Sequence, residues 1–203
     1  MQPAVSQTPE GSDGYVYDGE FPLRFDPAKA RQLLAAAGYP DGKGFPPVDI
    51  TFDTNGRHQL IAEVLQQMWQ KNLGVHIALA NKEGKVFHEE RLHLVYDLAR
   101  AGWVGDYLDP HAFLSVFLST GGQNVTGFAN ADYDRLVRDA LSERDHAKRL
   151  AIYRAAEDIL LRELPILPLF HDTSRHLVNP AVRGRYPNLL DYHPYQSMWL
   201  EAK

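Results

Sequence analysis

The clearest feature of the hydrophobic pattern is a strand, a helix and a second strand in succession. Apolar and polar residues alternate over 48–52, which predicts a strand. Over residues 57–73 apolar side chains recur at helical spacing, which predicts the strongest helix of the chain. These apolar residues are Ile61, Val64, Leu65, Met68 and Leu73. Gly74 predicts a left-handed cap at the end of this helix, and residues 75–79 predict the second strand.

Two further elements continue this alternation. Residues 83–93 predict a short helix, and residues 96–101 predict a third strand. Strand, helix, strand, helix, strand at this spacing indicates parallel pairing with right-handed crossovers. The expected fold class is therefore α/β, with a mostly parallel or mixed sheet flanked by helices.

Helices dominate the following part of the chain. Asp109-Pro110 predicts a helix start, because aspartate caps a helix and proline suits its first position, and the helix should run to about Leu118. Two more helices are expected near 131–142 and 146–163, the second long and amphipathic. Residues 165–170 predict a short edge strand, because its prolines cannot donate to a sheet.

The two ends of the chain have a different character. Residues 1–25 are rich in Pro, Gly, Ser and Asp and predict an extended lead-in held by aromatic anchors. Those anchors are Tyr15, Tyr17, Phe21 and Phe25. Asp26-Pro27 then opens a helix that Gly38 ends. Residues 174–203 hold aromatics and prolines but no long periodic segment.

Composition excludes several classes of function. The 203 residues carry a formal net charge of −5 with scattered basic residues, which argues against a nucleic-acid partner. With no cysteine, disulfides, Cys-based zinc sites and thiol catalysis are excluded. No apolar run reaches the roughly 18–20 residues of a membrane span, and Met1-Gln2-Pro3 opens no signal peptide. Either a cytoplasmic protein or a piece of a longer chain fits this pattern.

The densest group of candidate site residues lies in residues 99–110, where the third strand ends. Ligands of open α/β sheets bind at the carboxyl ends of strands. A cation (Arg100), a large aromatic (Trp103) and an anion (Asp106) are placed there together with two glycines. Such a set suits a zwitterion, since a carboxylate accepts from an ammonium and a guanidinium binds a carboxylate. The alternative is an internal Arg–Asp ion pair with Trp103 in the core.

Other titratable residues give weaker signals. His58 lies in the first turn of the 57–73 helix, where it could help to hold a carboxylate or simply lie on the surface. His88 and His93 are five residues apart and do not share one helix face, so we expect no metal site. Asp106 with Asp109 could form an acid–base pair, although the helix start already explains Asp109. Nucleophile-elbow, phosphate-loop and dinucleotide motifs are absent from the sequence.

Taken together, these segments resemble the solute-binding proteins of the oligopeptide and dipeptide ABC importers. The resemblance runs in collinear order from about residue 15 to the end of the chain. The motifs that carry it are Asp26–Leu34, Ala37–Pro40, Met68–Val75, Ala99–Pro110, Ala156-Glu157 leading to Leu164–Pro168, Leu177–Pro180 and Asn188–Asp191.

The resemblance implies a lobe of the type II periplasmic-binding-protein kind, from a bilobal protein that closes around a peptide. Residues 26–173 would form the carboxyl-terminal lobe, after the lead-in of residues 1–25. Residues 174–203 would be a tail that returns to a first lobe missing from this chain. The implied function is peptide binding for an ABC importer, in the periplasm or at the outer face of a membrane. The implied partners are a peptide and the importer's membrane subunits, with neither enzymatic activity nor a cofactor.

The same resemblance implies roles for particular residues. Asp106 would hold the amino terminus of the peptide. The strand-end segment lining the cleft would consist of Gly102, Trp103 and Val104. Basic side chains meeting the carboxyl terminus of the peptide would be His58, Arg91 and Arg100, and the presence of all three favours the oligopeptide branch.

Departures from the family pattern leave the ligand open. Gly84 stands where many relatives have a tryptophan, and His171-Asp172 replaces a more aromatic stretch. Other ligands of this fold therefore remain alternatives: a nickel chelate, haem, glutathione or a murein peptide. A hydrolase using Asp106 and Asp109 is a further alternative, as is a stand-alone interaction domain that has lost transport.

Overall fold

A computed structural model describes residues 2–21 and 23–201, which divide into two compact units. The helical unit comprises the chain up to Leu23, residues 103–124 and residues 128 onward. The sheet unit comprises residues 24–102 and 125–127.

The helices and strands are short except for two long helices. The helices are α1 (Pro27–Ala36), α2 (Gly56–Leu73), α3 (Gly84–Leu92), α4 (His111–Leu114), α5 (Ala131–Ser142) and α6 (His146–Glu163). The strands are β1 (Gln2–Pro3), β2 (Val48–Asp53), β3 (Ile77–Lys82), β4 (Leu98–Ala99), β5 (Phe170–His171), β6 (Val182–Arg183) and β7 (Trp199–Leu200). Among the described residues no helix is long and apolar enough to cross a membrane.

The sheet unit is built on three parallel strands in the order β3-β2-β4. This confirms the predicted alternation of strands and helices with parallel pairing. Five buried apolar residues form its core, where α2 packs on the strands: Ile50, Phe52, Ala62, Val75 and Ile77. The strands are parallel, so their carboxyl ends meet at one edge of the sheet.

Two predicted strand boundaries are wrong. The second strand begins at Ile77 instead of residue 75, because its partner begins only at Val48, after two prolines that lack an N–H group. The third strand is reduced to Leu98–Ala99. Upstream of it, the Asp97 side chain accepts from the Asp49 backbone N–H at 3.1 Å, in place of a ladder bond.

The predicted helix ends in the sheet unit are confirmed. The Asp26 side chain accepts from the Lys29 N–H at 2.9 Å and caps α1. Gly74 caps α2 in the left-handed conformation, with a φ of 70°. Its Cα also lies against the backbone of Asp41, so a methyl group at this position would be only 2.4 Å from that carbonyl oxygen.

The helical unit is organised around α5 and α6, at the predicted positions. Its core consists of Tyr15, Leu114, Val116, Phe117, Phe128, Tyr133, Val137, Ala140, Tyr153, Ala156 and Leu160. The buried Tyr133 hydroxyl donates to the Leu114 carbonyl at 2.6 Å, which joins α5 to α4. As predicted, Asp109 accepts from the His111 N–H at the start of α4. The helix is shorter than expected, because a 3₁₀ turn over Ser115–Phe117 replaces its second half.

Residues 2–21 are held by hydrogen bonds to α6. Glu157 is fully buried and accepts from the N–H groups of Gln7 (2.6 Å) and Thr8 (2.8 Å) and from the Tyr15 hydroxyl (2.5 Å). Tyr17 donates to Asp158 at 2.5 Å. Two predicted aromatic anchors, Tyr15 and Tyr17, are thus confirmed.

Two further expectations about these ends are wrong. Phe25 is largely exposed in the sheet unit and anchors nothing there. The predicted strand over 165–170 forms only at Phe170–His171, where it pairs antiparallel with β1, since Pro165 and Pro168 supply no N–H donors. Beyond β5, the described residues form a short antiparallel pair, β6 with β7, and a 3₁₀ turn over Tyr195–Ser197.

Candidate functional site

Charged residues collect at the carboxyl-terminal edge of the parallel sheet. Asp53 and Lys82 end β2 and β3 and lie opposite each other in the register. Arg100 follows β4 directly, and its N–H donates to the Thr51 carbonyl at 2.9 Å. This edge is the one at which open α/β sheets bind ligands. The topology therefore places Arg100 where the sequence analysis expects it.

His58 lies at this same edge, in the first turn of α2, and its partner is Asp53. Its Nδ1 donates to an Asp53 carboxylate oxygen at 2.5 Å. With Nδ1 used in this way, Nε2 can donate to a ligand carboxylate only when the ring carries both protons. Asp53 was not among the predicted site residues. Its place as the last residue of a strand at the binding edge is the signal that could have revealed it.

Arg91 is positioned by the packing of α3. Its guanidinium lies 5.4 Å from the centroid of the buried Phe87 ring, a cation–π distance. One residue earlier, Glu90 accepts from the Lys82 ammonium at 3.0 Å, which fixes the helix to the end of β3. Arg91 is half-buried, so its stem packs while its charge stays in reach of solvent.

Gly102 provides space beside Arg100. A methyl group at Gly102 would lie 3.3 Å from a guanidinium nitrogen of Arg100, closer than most such contacts. The glycine thus lets the arginine lie against the backbone. Both residues belong to the sheet unit, as do His58 and Arg91.

Trp103, Val104 and Asp106 belong to the helical unit. The Trp103 indole N–H donates to the Ala112 carbonyl at 2.7 Å, yet the residue remains 38% exposed. Val104 is 85% exposed. The next residue, Gly105, packs under Phe113, since a methyl group there would lie 2.6 Å from the ring. The backbone is thus fixed by its neighbours while Trp103 and Val104 face solvent.

Asp106 is exposed, next to a Tyr107–His111 pair. The Tyr107 hydroxyl lies 2.6 Å from His111 Nδ1. Burial raises the pKa of Tyr107, and the Asp109 and Asp106 carboxylates raise it further. Burial also lowers the pKa of His111. Trp103 is exposed, whereas the internal ion-pair alternative places it in the core.

Asp109 is occupied by structural contacts. One carboxylate oxygen accepts from the His111 N–H at 2.8 Å, and the other pairs with the Arg149 guanidinium, which also binds Asp13. A general acid or base needs an oxygen directed at substrate. Both oxygens of Asp109 are already paired, and this counts against the hydrolase alternative.

Comparisons with known proteins find similar proteins along nearly the whole chain. The model of the bacterial extracellular solute-binding proteins, family 5 middle region, matches residues 1–125. The Escherichia coli periplasmic murein peptide-binding protein MppA is 40% identical over 162 residues, which are 79% of this chain and 29% of the relative. The solved structure of the Escherichia coli protein covers 98% of this chain at 35% identity, with a TM-score of 0.83, and this chain covers 40% of it.

A ligand-bound structure is also similar. Haemophilus influenzae OppA, in complex with RPPGFSPFR, covers 98% of this chain at 28% identity with a TM-score of 0.81, and 40% of its own chain is matched. This chain therefore spans well under half of the length of each of these relatives. The family model, the parallel sheet and the similarity along nearly the whole chain lead to one conclusion: the chain belongs to the bacterial extracellular solute-binding proteins of family 5.

Proposed function

We propose that this chain is the carboxyl-terminal lobe of a peptide-binding protein that serves an ABC importer. The observation that carries the proposal is the placement of the charges. Arg100 and His58 lie at the carboxyl-terminal edge of the sheet unit, and Asp106, six residues after Arg100 in the chain, is exposed in the helical unit. Relatives named for binding murein peptides and oligopeptides, and one bound to a nonapeptide, support a peptide as the ligand.

The proposed mechanism is binding without chemistry. Asp106 accepts hydrogen bonds from the peptide ammonium, and Gly102, Trp103 and Val104 line the peptide backbone. The peptide carboxylate is met by basic side chains: His58, Arg91 and Arg100. Removing one member of a desolvated charge pair typically costs about 2–5 kcal/mol, so each end of the peptide contributes substantially to the affinity.

In the proposed domain arrangement, residues 26–173 are the lobe, with the lead-in at residues 1–25. Residues 174–203 are the tail that returns to the other lobe. The proposed partners are the other lobe and the importer's membrane subunits. The proposed location is extracytoplasmic. Neither enzymatic activity nor a cofactor is part of it.

A murein peptide is the second candidate ligand. It is favoured by the 40% identity to a relative that is named for binding murein peptides. Such a peptide also has charged ends, so the same residues would bind it, and titration with a murein tripeptide beside an ordinary tetrapeptide separates the two.

The proposed function can be tested on this chain by following its ¹⁵N-labelled amide and indole signals during titration with a tetrapeptide. We expect weak binding that shifts the Trp103 indole and Gly102 amide signals. Asp106→Asn should weaken it at least about tenfold, which corresponds to about 1.4 kcal/mol. Asp132→Asn changes an aspartate that is exposed on α5 and pairs with Arg135, so it is the matched control and should leave the affinity unchanged. Equal affinities for the two variants, or shifts confined to other residues, would reject the assignment of Asp106.

A further inference from the structure

Three side chains of the tail converge on one point. His176 Nε2 and His193 Nε2 each lie 2.8 Å from the same oxygen of Asp191, and the ligand atoms of all three lie within 4.8 Å of one another. The two imidazole rings are nearly perpendicular, with centroids 5.5 Å apart. The residues follow the spacing H-x₁₄-D-x-H, which matches none of the usual zinc-site patterns and explains why the sequence pattern indicates no metal here.

The backbone holds Asp191 and His193 in this arrangement. Asp191 adopts a left-handed conformation with a φ of 53°, in a turn where its N–H donates to the Asn188 carbonyl at 3.1 Å. The Asn188 side chain closes the turn, accepting from the Tyr192 N–H at 3.1 Å and donating to the Tyr192 carbonyl at 2.9 Å. Two ligand atoms are thus fixed by one turn, and His176, fifteen residues before Asp191, adds a third.

The neighbours of His193 suit neither of its two neutral tautomers. Its Nε2 lies 2.8 Å from Asp191, which can only accept while ionised, and 2.8 Å from the Arg185 guanidinium, which can only donate. With a proton on Nε2 the contact with Arg185 is unfavourable. With the proton on Nδ1, the contact with Asp191 is unfavourable, and Nδ1 is buried without a hydrogen-bond partner among the described residues. Either tautomer therefore leaves one close contact mismatched.

We propose that His176, Asp191 and His193 form a binding site for a divalent transition-metal ion of the zinc type. A cation bound by the Nε2 lone pairs and the carboxylate together, with the proton of His193 on Nδ1, would remove the repulsion between Nε2 and Asp191. Two imidazole nitrogens and one carboxylate oxygen are a ligand set that zinc uses, with a fourth position left for water or a ligand. This site lies outside the residues proposed to bind peptide and stands independently of that proposal.

The structure indicates what must move when the ion binds. At zinc–ligand distances of about 2.0–2.2 Å in a tetrahedral site, neighbouring ligand atoms lie roughly 3.3 Å apart. Each histidine nitrogen therefore has to withdraw by about half an ångström from its present 2.8 Å separation from Asp191. His176 and Asp191 are both partly exposed and can make this shift. Arg185, which carries the competing positive charge, has to turn away from His193.

The experiment is a calorimetric titration of the untagged, EDTA-treated and dialysed chain with zinc chloride, repeated with cobalt chloride while its visible absorption is recorded. We expect one ion per chain and a cobalt spectrum of low coordination number. His176→Gln, His193→Gln and Asp191→Asn should each weaken binding at least about tenfold, since each removes a ligand. His88→Gln, which changes an exposed histidine of α3, is the matched control and should leave the affinity unchanged.

Arg185→Ala tests whether zinc binds at these three ligands, because zinc bound to unrelated surface histidines would not respond to the loss of Arg185. Because the substitution removes a positive charge beside the ligands, we expect zinc to bind more tightly than to the unmodified chain. His176→Gln keeps the test decisive if Asp191→Asn fails to fold, because His176 is partly exposed. Absence of zinc binding at 1:1 stoichiometry, or equal affinity in His176→Gln and His88→Gln, would overturn the proposal.

Discussion

The buried carboxylate of Glu157 provides the sharpest test of how the helical unit is held together. Its Oε1 accepts from the N–H groups of Gln7 and Thr8, and its Oε2 accepts from the Tyr15 hydroxyl. Burial and the neighbouring Glu157 charge raise the pKa of Tyr15, so its hydroxyl keeps its proton and remains a donor. One carboxylate thus fixes residues 7–15 to α6.

Substitution of Glu157 by alanine leaves three donors without their acceptor. A buried donor that loses its partner costs about 1–3 kcal/mol, so we expect Glu157→Ala to lower the free energy of unfolding by about 3–5 kcal/mol. Glu157→Gln keeps an oxygen for the two backbone donors and places an amide N–H₂ against Tyr15, whose oxygen can accept. This variant should lose only about 1–2 kcal/mol.

The contribution of Glu157 to stability changes with pH in the opposite direction to that of a typical surface carboxylate. Burial raises the native-state pKa of Glu157, despite hydrogen bonds that lower it. A raised pKa means that its contribution to stability is fully present below the unfolded-state pKa and is lost as pH rises through the native-state pKa. Wild type should therefore lose stability relative to Glu157→Gln as the pH rises across that window.

The assay is chemical denaturation combined with amide hydrogen exchange at Gln7 and Thr8, which reports on the helical unit even though the chain has two units. Glu163→Gln is the control, because Glu163 lies on the same helix but is exposed, and it should change stability by less than about 0.5 kcal/mol. The reasoning fails if Glu157→Ala and Glu163→Gln are equally stable, or if Glu157→Gln is as damaging as Glu157→Ala.

Two glycine substitutions test close backbone packing, one in each unit. Gly74→Ala should lower the free energy of unfolding of the sheet unit by more than about 1 kcal/mol, because alanine is strained at a φ of 70° and its methyl group would meet the Asp41 carbonyl. Urea denaturation measures this, and a neutral effect would contradict the close approach. Gly105→Ala should cost about 1–3 kcal/mol, because its methyl group would clash with the Phe113 ring. A Trp103 indole NMR signal unchanged by this substitution would show that Gly105 does not position the segment.

The sequence predicts the sheet unit well, because its signals are local. Helical spacing over residues 57–73 and the caps at Asp26 and Gly74 act within a few residues, and the structure has both. Strand lengths are less predictable because they depend on the partner. The start of β3 at Ile77 follows from where β2 begins, which the sequence around Ile77 does not contain.

Long-range polar contacts are the part that the sequence could not reveal. Glu157 is one of several charged residues along α6, and nothing in that helix indicates that it is buried beneath Tyr15. The pairing of Asp53 with His58 needs the end of a strand to meet the start of a helix. The assignment of Asp106 to the peptide amino terminus rests on the resemblance, and the structure shows that this residue is exposed.

The central claim is that the charged ends of a peptide are what this lobe binds. The most direct measurement compares four forms of one tetrapeptide by titration: unmodified, N-acetylated, C-amidated and doubly blocked. The proposal predicts that each single block weakens binding at least about tenfold, and that Asp106→Asn abolishes the difference made by acetylation alone. If the doubly blocked peptide binds as tightly as the unmodified one, charge recognition at the peptide ends is wrong, whatever the family of the protein.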